Sequence, residues 1–360
     1  MSPAVSGVAR LGAHGQSAWY DNLTRPLARG GLDDLIDRHG ITGVTSNPTI
    51  FEKAIAAGAD YAAQLASLGS SDPEAAYWAL VVDDIAAAAD RLRRVYVSTN
   101  GDDGYVSVEV SPLLAHDTAG TVAQAGELFE RIGRPNVMIK VPATPAGLPA
   151  ITEIIAAGIN VNVTLIFSLA RYGQVIDAYF AGLDRLADPS RVASVASFFV
   201  SRVDTETDPR LPDGHPLRGH AAVANARLAY DLFEQRFAGT RWDDLVAAGA
   251  RPQRPLWAST STKNPNYSPT LYVDELVGPN SVNTLAPASI EALTDHDGIA
   301  ADTVRRDLDA ARSVFSGLAE AGVDFDDVTA VLEREGVESF AQSYRDCLQA
   351  VATALSGDAT

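Results

Sequence analysis

Short apolar runs rich in Val and Ile alternate along this chain with longer stretches in which apolar residues recur at helical spacing. The short runs lie at 17–22, 41–47, 105–111, 136–142, 159–167, 192–202, 254–261 and 280–286. Most are bounded by Gly, Pro or Asn, and together they predict eight strands. Between them, Asp72-Pro73 opens a long helix, with Asp as N-cap and Pro at the first helical position. Its apolar positions continue through Tyr77, Leu80, Val81, Ile85 and Leu92. Ser168 caps a second helix, LARYGQVIDAYFAGLDRL, and a third is expected over 300–321, stopping at Gly322. The segment 203–253 reads as a long insert after the sixth strand, with TETDPRLPDGHPLRG as loop and 218–238 as helix. Residues 323–356 read as helical and are expected to pack across the outside or one end of the sheet, with the last residues fraying.

Strands alternating with helices imply an α/β fold with a parallel sheet. Eight strands in 360 residues favour a closed (β/α)8 TIM barrel with extra helices over an open doubly wound sheet. No Gly-rich dinucleotide fingerprint and no Walker loop supports the open alternative. A single domain over 1–360 is expected, with residues 1–15 as a flexible N-terminal tail. That stretch lacks the apolar core of a signal peptide, and no apolar run is long enough to span a bilayer, so a cytoplasmic location is the expectation.

Charge and composition narrow the function. With 28 basic and 46 acidic residues the formal net charge is −18, which disfavours nucleic acid and anionic membranes as partners. An anionic substrate then needs a local basic pocket. Cys347 stands alone, which excludes a disulfide framework, a CxxC redox pair and a thiolate zinc site. The six His are scattered, HExxH is absent, and Asp204, Asp208 and Asp213 lack the EF-hand spacing, so no metal and no other cofactor is expected. The serine-hydrolase elbow GxSxG is missing too. Whether the chain is a monomer or a homodimer stays open.

Several polar residues break otherwise apolar strands. Lys140 sits within NVMIKVPAT, and burial there disfavours the ammonium form, leaving an amine that can attack a ketone and form an imine. The alternative is a strand-end lysine snorkelling to solvent. Glu109, in YVSVEVSPLL, suits proton transfer during imine formation, or else forms a structural salt bridge, for instance to Lys140. In INVNVTLIF the period of two places Asn160, Asn162 and Thr164 on one strand face, which points inward in a barrel. Asp21, Asn47 and Ser197 add polar groups at other strand ends, where barrel enzymes keep their active sites, although turn or capping roles suit Asp21 and Asn47 as well. Arg202, with Ser259, Ser261 and Lys263 in WASTSTKNP, lies near the late strands, where barrel phosphate sites tend to form.

The motifs TSNPTIF, VSVEVSPLLAHDT, NVMIKVPAT, GINVNVTLIFS and ASFFVSRVD resemble those of the transaldolases, within the class I Schiff-base aldolase superfamily. They stand in family order over about 17–290, so the likeness covers most of the chain. The resemblance implies that Lys140 forms the Schiff base with the dihydroxyacetone part of a ketose phosphate. It implies that Glu109, with a water held by Thr164, carries protons, and that Asp21 takes the proton from the C4 hydroxyl. By the same likeness Asn47, Asn162 and Ser197 bind the dihydroxyacetone hydroxyls, Phe199 lines the substrate site, and Arg202 and Ser259 hold the phosphate. The implied partners are small phosphorylated sugars.

One position departs from many relatives. Where they carry a second phosphate-binding Arg two residues after the match to Ser259, this chain has Ser261, followed by Lys263 as the candidate replacement. This pattern resembles an actinobacterial-like branch that includes transaldolases fused to a glucose-phosphate isomerase. A related small aldolase that releases free dihydroxyacetone is the alternative activity. Such aldolases are shorter, with Gln where Glu109 stands and Tyr where Phe199 stands, so both positions favour transfer. A non-catalytic sugar-phosphate-binding barrel is the alternative of a different class, which the set Lys140, Glu109 and Asp21 argues against.

Overall fold

The computed structural model describes residues 6–56, 58, 60–69 and 71–356. Eight parallel strands close into a barrel in sequence order: β1 (Gln16–Tyr20), β2 (Ile41–Thr45), β3 (Val106–Glu109), β4 (Val137–Pro142), β5 (Val161–Ile166), β6 (Ser194–Phe199), β7 (Arg254–Ala258) and β8 (Ser281–Leu285). Each falls within or at the margin of a predicted strand. Nearly every strand residue is buried, because one face meets the encircling helices and the other fills the barrel. The expected (β/α)8 architecture is the one observed.

The predicted caps form. Asp72 accepts from the Glu74 amide at 3.0 Å at the head of the helix Pro73–Ser98, and Ser168 accepts from the Arg171 amide at 3.1 Å at the head of Leu169–Leu183. Other expectations need correction. Residues 6–15 are no loose tail: Gly7–Ala13 is a helix whose Val8 and Leu11 are fully buried, and the rest of that expected tail, 1–5, lies outside the described residues. The helix expected over 300–321 is Leu308–Glu320, preceded by a 3-10 turn at Thr303–Arg305. The helix Ser201–Thr207 takes the last two residues of the sixth predicted strand and the first three of the stretch read as loop.

In the segment read as an insert, Ala221–Arg236 is itself one of the helices packed on the barrel. The three aspartates weighed for calcium organise this segment instead. Asp204 accepts from the Ala222 amide and the Tyr272 hydroxyl, Asp208 from the Gly219 amide and the Tyr267 hydroxyl, and Asp213 pairs with Arg218.

The C-terminal helix Phe325–Ser356 decides how the barrel's mouth is covered. It packs against the helices Pro48–Ala56, Pro73–Ser98 and Ser201–Thr207. Gly336 permits the approach: a Cβ there would stand 2.9 Å from a Leu165 methyl, too close for two carbons. The opposite, N-terminal end of the barrel is closed by structural polar contacts. Asn160 belongs there, its amide donating to the Pro135 and Val137 carbonyls and its oxygen accepting from the Ala193 amide. It braces β4 against β6 and takes no part in the row of site groups expected on its strand.

Candidate active site

The register of the parallel sheet explains why the anomalous polar residues meet. Glu109 of β3 pairs with Lys140 of β4, and Lys140 pairs with Asn162 of β5. Residues paired across a parallel ladder project from the same face, so all three side chains enter the barrel. Lys140 is 5% exposed and Glu109 7%; Lys140 Nζ lies 3.3 Å from Glu109 Oε2 and donates to the Ser46 carbonyl at 3.4 Å. The snorkelling alternative for Lys140 therefore fails, while the expected ion pair forms. Burial is the largest influence on the Glu109 carboxyl and raises its pKa; Lys140 opposes this and Asp21 reinforces it.

Above Lys140 opens a cavity of about 620 Å³ at the C-terminal ends of the strands. Its wall includes Asp21, Asn47, Lys140, Thr164, Ser197, Phe199, Arg202, Ser259, Ser261 and Lys263. Asp21 follows β1 and accepts from Thr45 Oγ1 at 2.7 Å. Asn47 combines both roles weighed for it: its Oδ1 accepts from the Ile50 amide at 3.0 Å, capping the helix Pro48–Ala56, while the residue lines the cavity. Thr164 Oγ1 is buried and has no hydrogen-bond partner among the described residues.

Two of the expected residues stand behind the wall. Glu109 is not part of the wall but pairs with Lys140, which is. Asn162 is fully buried, donating to Ser107 Oγ at 3.0 Å and accepting from Ser197 Oγ at 2.7 Å, so it holds Ser197 from below.

Backbone strain concentrates here. Leu165, next to Thr164, has φ 58°, and the β5–β6 register shifts between Val163 and Ile166. Ser259 has φ 55°. Left-handed backbone at a buried leucine is unfavourable and persists only where the surroundings impose it. At Leu165 the irregularity alters how the strand carrying Thr164 leaves the sheet.

The cationic side of the rim comes from the segments after β6 and β7. The Arg202 guanidinium carbon lies 5.1 Å from the Phe199 ring centre and 5.9 Å from that of Phe340. It has no ion pair among the described residues, and burial lowers its pKa against the opposing pull of Asp21 and Glu109. Ser259 shares a hydrogen bond with Ser201 at 2.9 Å, and Lys263 Nζ donates to Ser261 at 2.8 Å. Burial lowers the Lys263 pKa, and the neighbouring Arg202 adds to that shift. A guanidinium without a counter-ion beside an ammonium and two hydroxyls is a ready acceptor for a phosphate dianion.

Phe340 and Lys53 are among the cavity residues that sequence reasoning missed. Phe340 comes from the C-terminal helix, with its ring centre 5.5 Å from Lys140 Nζ, and no local pattern marks a residue delivered from so far along the chain. Lys53, on the helix Pro48–Ala56, also lines the cavity, and its signal was the rarity of lysine in this chain.

Comparison with known proteins agrees with this geometry. A sequence model of the family described as Transaldolase/Fructose-6-phosphate aldolase matches residues 18–351. A protein named Transaldolase 1 from Streptomyces avermitilis is 50% identical over 99% of this chain and 98% of its own length. A Transaldolase from Saccharopolyspora erythraea is 51% identical over 96% of this chain and 97% of its own, and one from Acidothermus cellulolyticus is 52% identical over 97% and 96%. A closed parallel barrel with a buried lysine beneath a cationic rim, matched at half identity across nearly its whole length, belongs to the transaldolase/fructose-6-phosphate aldolase family.

Proposed function

We propose that this chain is a transaldolase that moves dihydroxyacetone from sedoheptulose 7-phosphate to glyceraldehyde 3-phosphate, giving erythrose 4-phosphate and fructose 6-phosphate. The observation that carries the reading is Lys140, buried beside Glu109 at 3.3 Å on the wall of a cavity whose rim bears Arg202 and Lys263. The Lys140 amine adds to the donor's C2 ketone, and loss of water gives a protonated imine. Glu109, whose raised pKa lets it keep a proton more readily than an ordinary carboxyl, supplies and recovers protons in this step with Thr164.

Asp21 takes the C4 hydroxyl proton as the C3–C4 bond breaks, and the electron pair flows into the imine. The aldose leaves, and the enamine left on Lys140 attacks the acceptor aldehyde while Asp21 returns the proton. Hydrolysis of the new imine frees the product. Asn47 and Ser197 bind the dihydroxyacetone hydroxyls, with Asn162 positioning Ser197. Phe199 supports Arg202, and Arg202, Ser259 and Lys263 hold the phosphate. This activity belongs to the non-oxidative pentose phosphate pathway, in the cytoplasm.

Two measurements test the proposal. Borohydride with fructose 6-phosphate leaves a reduced three-carbon adduct on Lys140. Without acceptor, a transaldolase releases little free dihydroxyacetone; rapid release would make the chain an aldolase, a reading that the relatives' names do not favour.

A further inference from the structure

Among its 28 cationic residues this chain has only three lysines: Lys53, Lys140 and Lys263. All three line the cavity described above. Arginine serves nearly everywhere else, and most arginines are paired on the surface with Asp or Glu, as in Arg94–Asp37, Arg185–Glu153 and Arg305–Glu234. Lys140 and Lys263 already have parts in the proposed reaction. Lys53 has none.

Lys53 is exposed and makes no hydrogen bond or ion pair among the described residues. It stands on the helix that follows β2, whereas Arg202 and Lys263 follow β6 and β7. In a closed barrel ordered β1 to β8, β2 lies across from β6. The cavity thus has a free ammonium on the rim opposite its phosphate-binding cluster. Carboxylates are plentiful in a chain of net charge −18, yet Lys53 pairs with none of them among the described residues. That net charge also repels an anionic sugar during approach, and a cation at the entrance counters it locally.

We propose that Lys53 is a binding residue for the substrate's phosphate, drawing phosphorylated sugars into the cavity from the rim opposite Arg202 and Lys263. The inference rests on the transaldolase reading. It predicts an effect on capture, because Lys53 is exposed at the rim whereas the Lys140–Glu109 pair is buried.

The test compares Lys53→Gln, Lys53→Arg and Lys53→Glu with the parent protein. Sedoheptulose 7-phosphate is the donor, and glyceraldehyde 3-phosphate or unphosphorylated glyceraldehyde is the acceptor. One solvated charge near a phosphate dianion corresponds to a change of about five- to tenfold. Lys53→Gln is therefore expected to lower kcat/KM for glyceraldehyde 3-phosphate by about that factor through KM, and to lower it far less for glyceraldehyde. Lys53→Arg recovers most of the loss, and Lys53→Glu deepens it. The loss shrinks as salt is raised, since the Debye length falls to about 8 Å at 0.15 M. Equal effects on the two acceptors, or a loss that is insensitive to salt, would overturn the proposal. The borohydride adduct separates the two levels of inference. If the parent protein forms none, the transaldolase reading fails; if it forms and Lys53→Gln leaves the acceptor ratio unchanged, only the role of Lys53 fails.

Discussion

Replacing Lys140 by Met removes the amine while keeping much of the side chain's length, and its consequences follow from the surroundings of Lys140. Lys140 and Glu109 are both almost fully buried and 3.3 Å apart. Removing one partner of such a pair typically costs about 3–5 kcal/mol, because the remaining charge is left uncompensated. Here Glu109 has an escape. Its pKa is already raised by burial, and losing the opposing Lys140 raises it further, so the carboxyl takes up a proton.

The sign follows from linkage. A carboxyl with a higher pKa in the folded state stabilises the fold when protonated, and that contribution is lost as pH rises through the folded pKa. Lys140→Met is therefore expected to lose more stability at pH 8 than at pH 5.5, and adding Glu109→Gln should flatten the difference. Thermal melts at the two pH values read this directly. On folded protein, borohydride trapping with fructose 6-phosphate should vanish and turnover should fall by about 10⁴-fold or more. Lys140→Arg is the sharper control: it keeps the positive charge beside Glu109 but cannot form the imine, so it too should be inactive. A folded Lys140→Met that still traps substrate, with the label on Lys53 or Lys263, would refute the reasoning.

Three further outcomes are expected. Asp21→Ala should form the imine yet cleave poorly, so that a trapped donor adduct accumulates; full turnover would remove Asp21 from the mechanism. Arg202→Ala should weaken phosphorylated substrates by about 1.5–3 kcal/mol, read from KM, while reactions of unphosphorylated sugars suffer less; equal damage to both would make Arg202 purely structural. Asp204 is buried and its pKa is raised to about 6, so its ionisation opposes folding as pH rises from the ordinary carboxyl range through about 6. Asp204→Asn should accordingly gain about 1 kcal/mol relative to the parent between pH 5 and pH 7, measured by denaturant titration at each pH; a pH-independent difference would show that Asp204 does not titrate in that window.

Local pattern carried much of this protein. Eight apolar runs of strand length, separated by helical periodicity, specify the barrel because a continuous apolar run suits a strand buried on both faces and helical spacing suits a segment buried on one. Lys140, Glu109 and Thr164 stood out in the sequence because a polar group inside a buried strand is costly without a task or a partner. What the pattern could not reveal is which groups touch. Asn160 and Asn162 look alike on one strand, yet they sit at different depths: one braces the barrel's lower end, while the other holds Ser197 beneath the cavity. Residues 6–15 look like a polar tail until Val8 and Leu11 find their pockets, and Phe340 enters the site only because Gly336 lets the last helix lie close over the mouth. Periodicity is set by neighbours in the chain, and it decided the elements. Register, depth and coverage depend on residues tens to hundreds of positions apart, so only the closed barrel settled them.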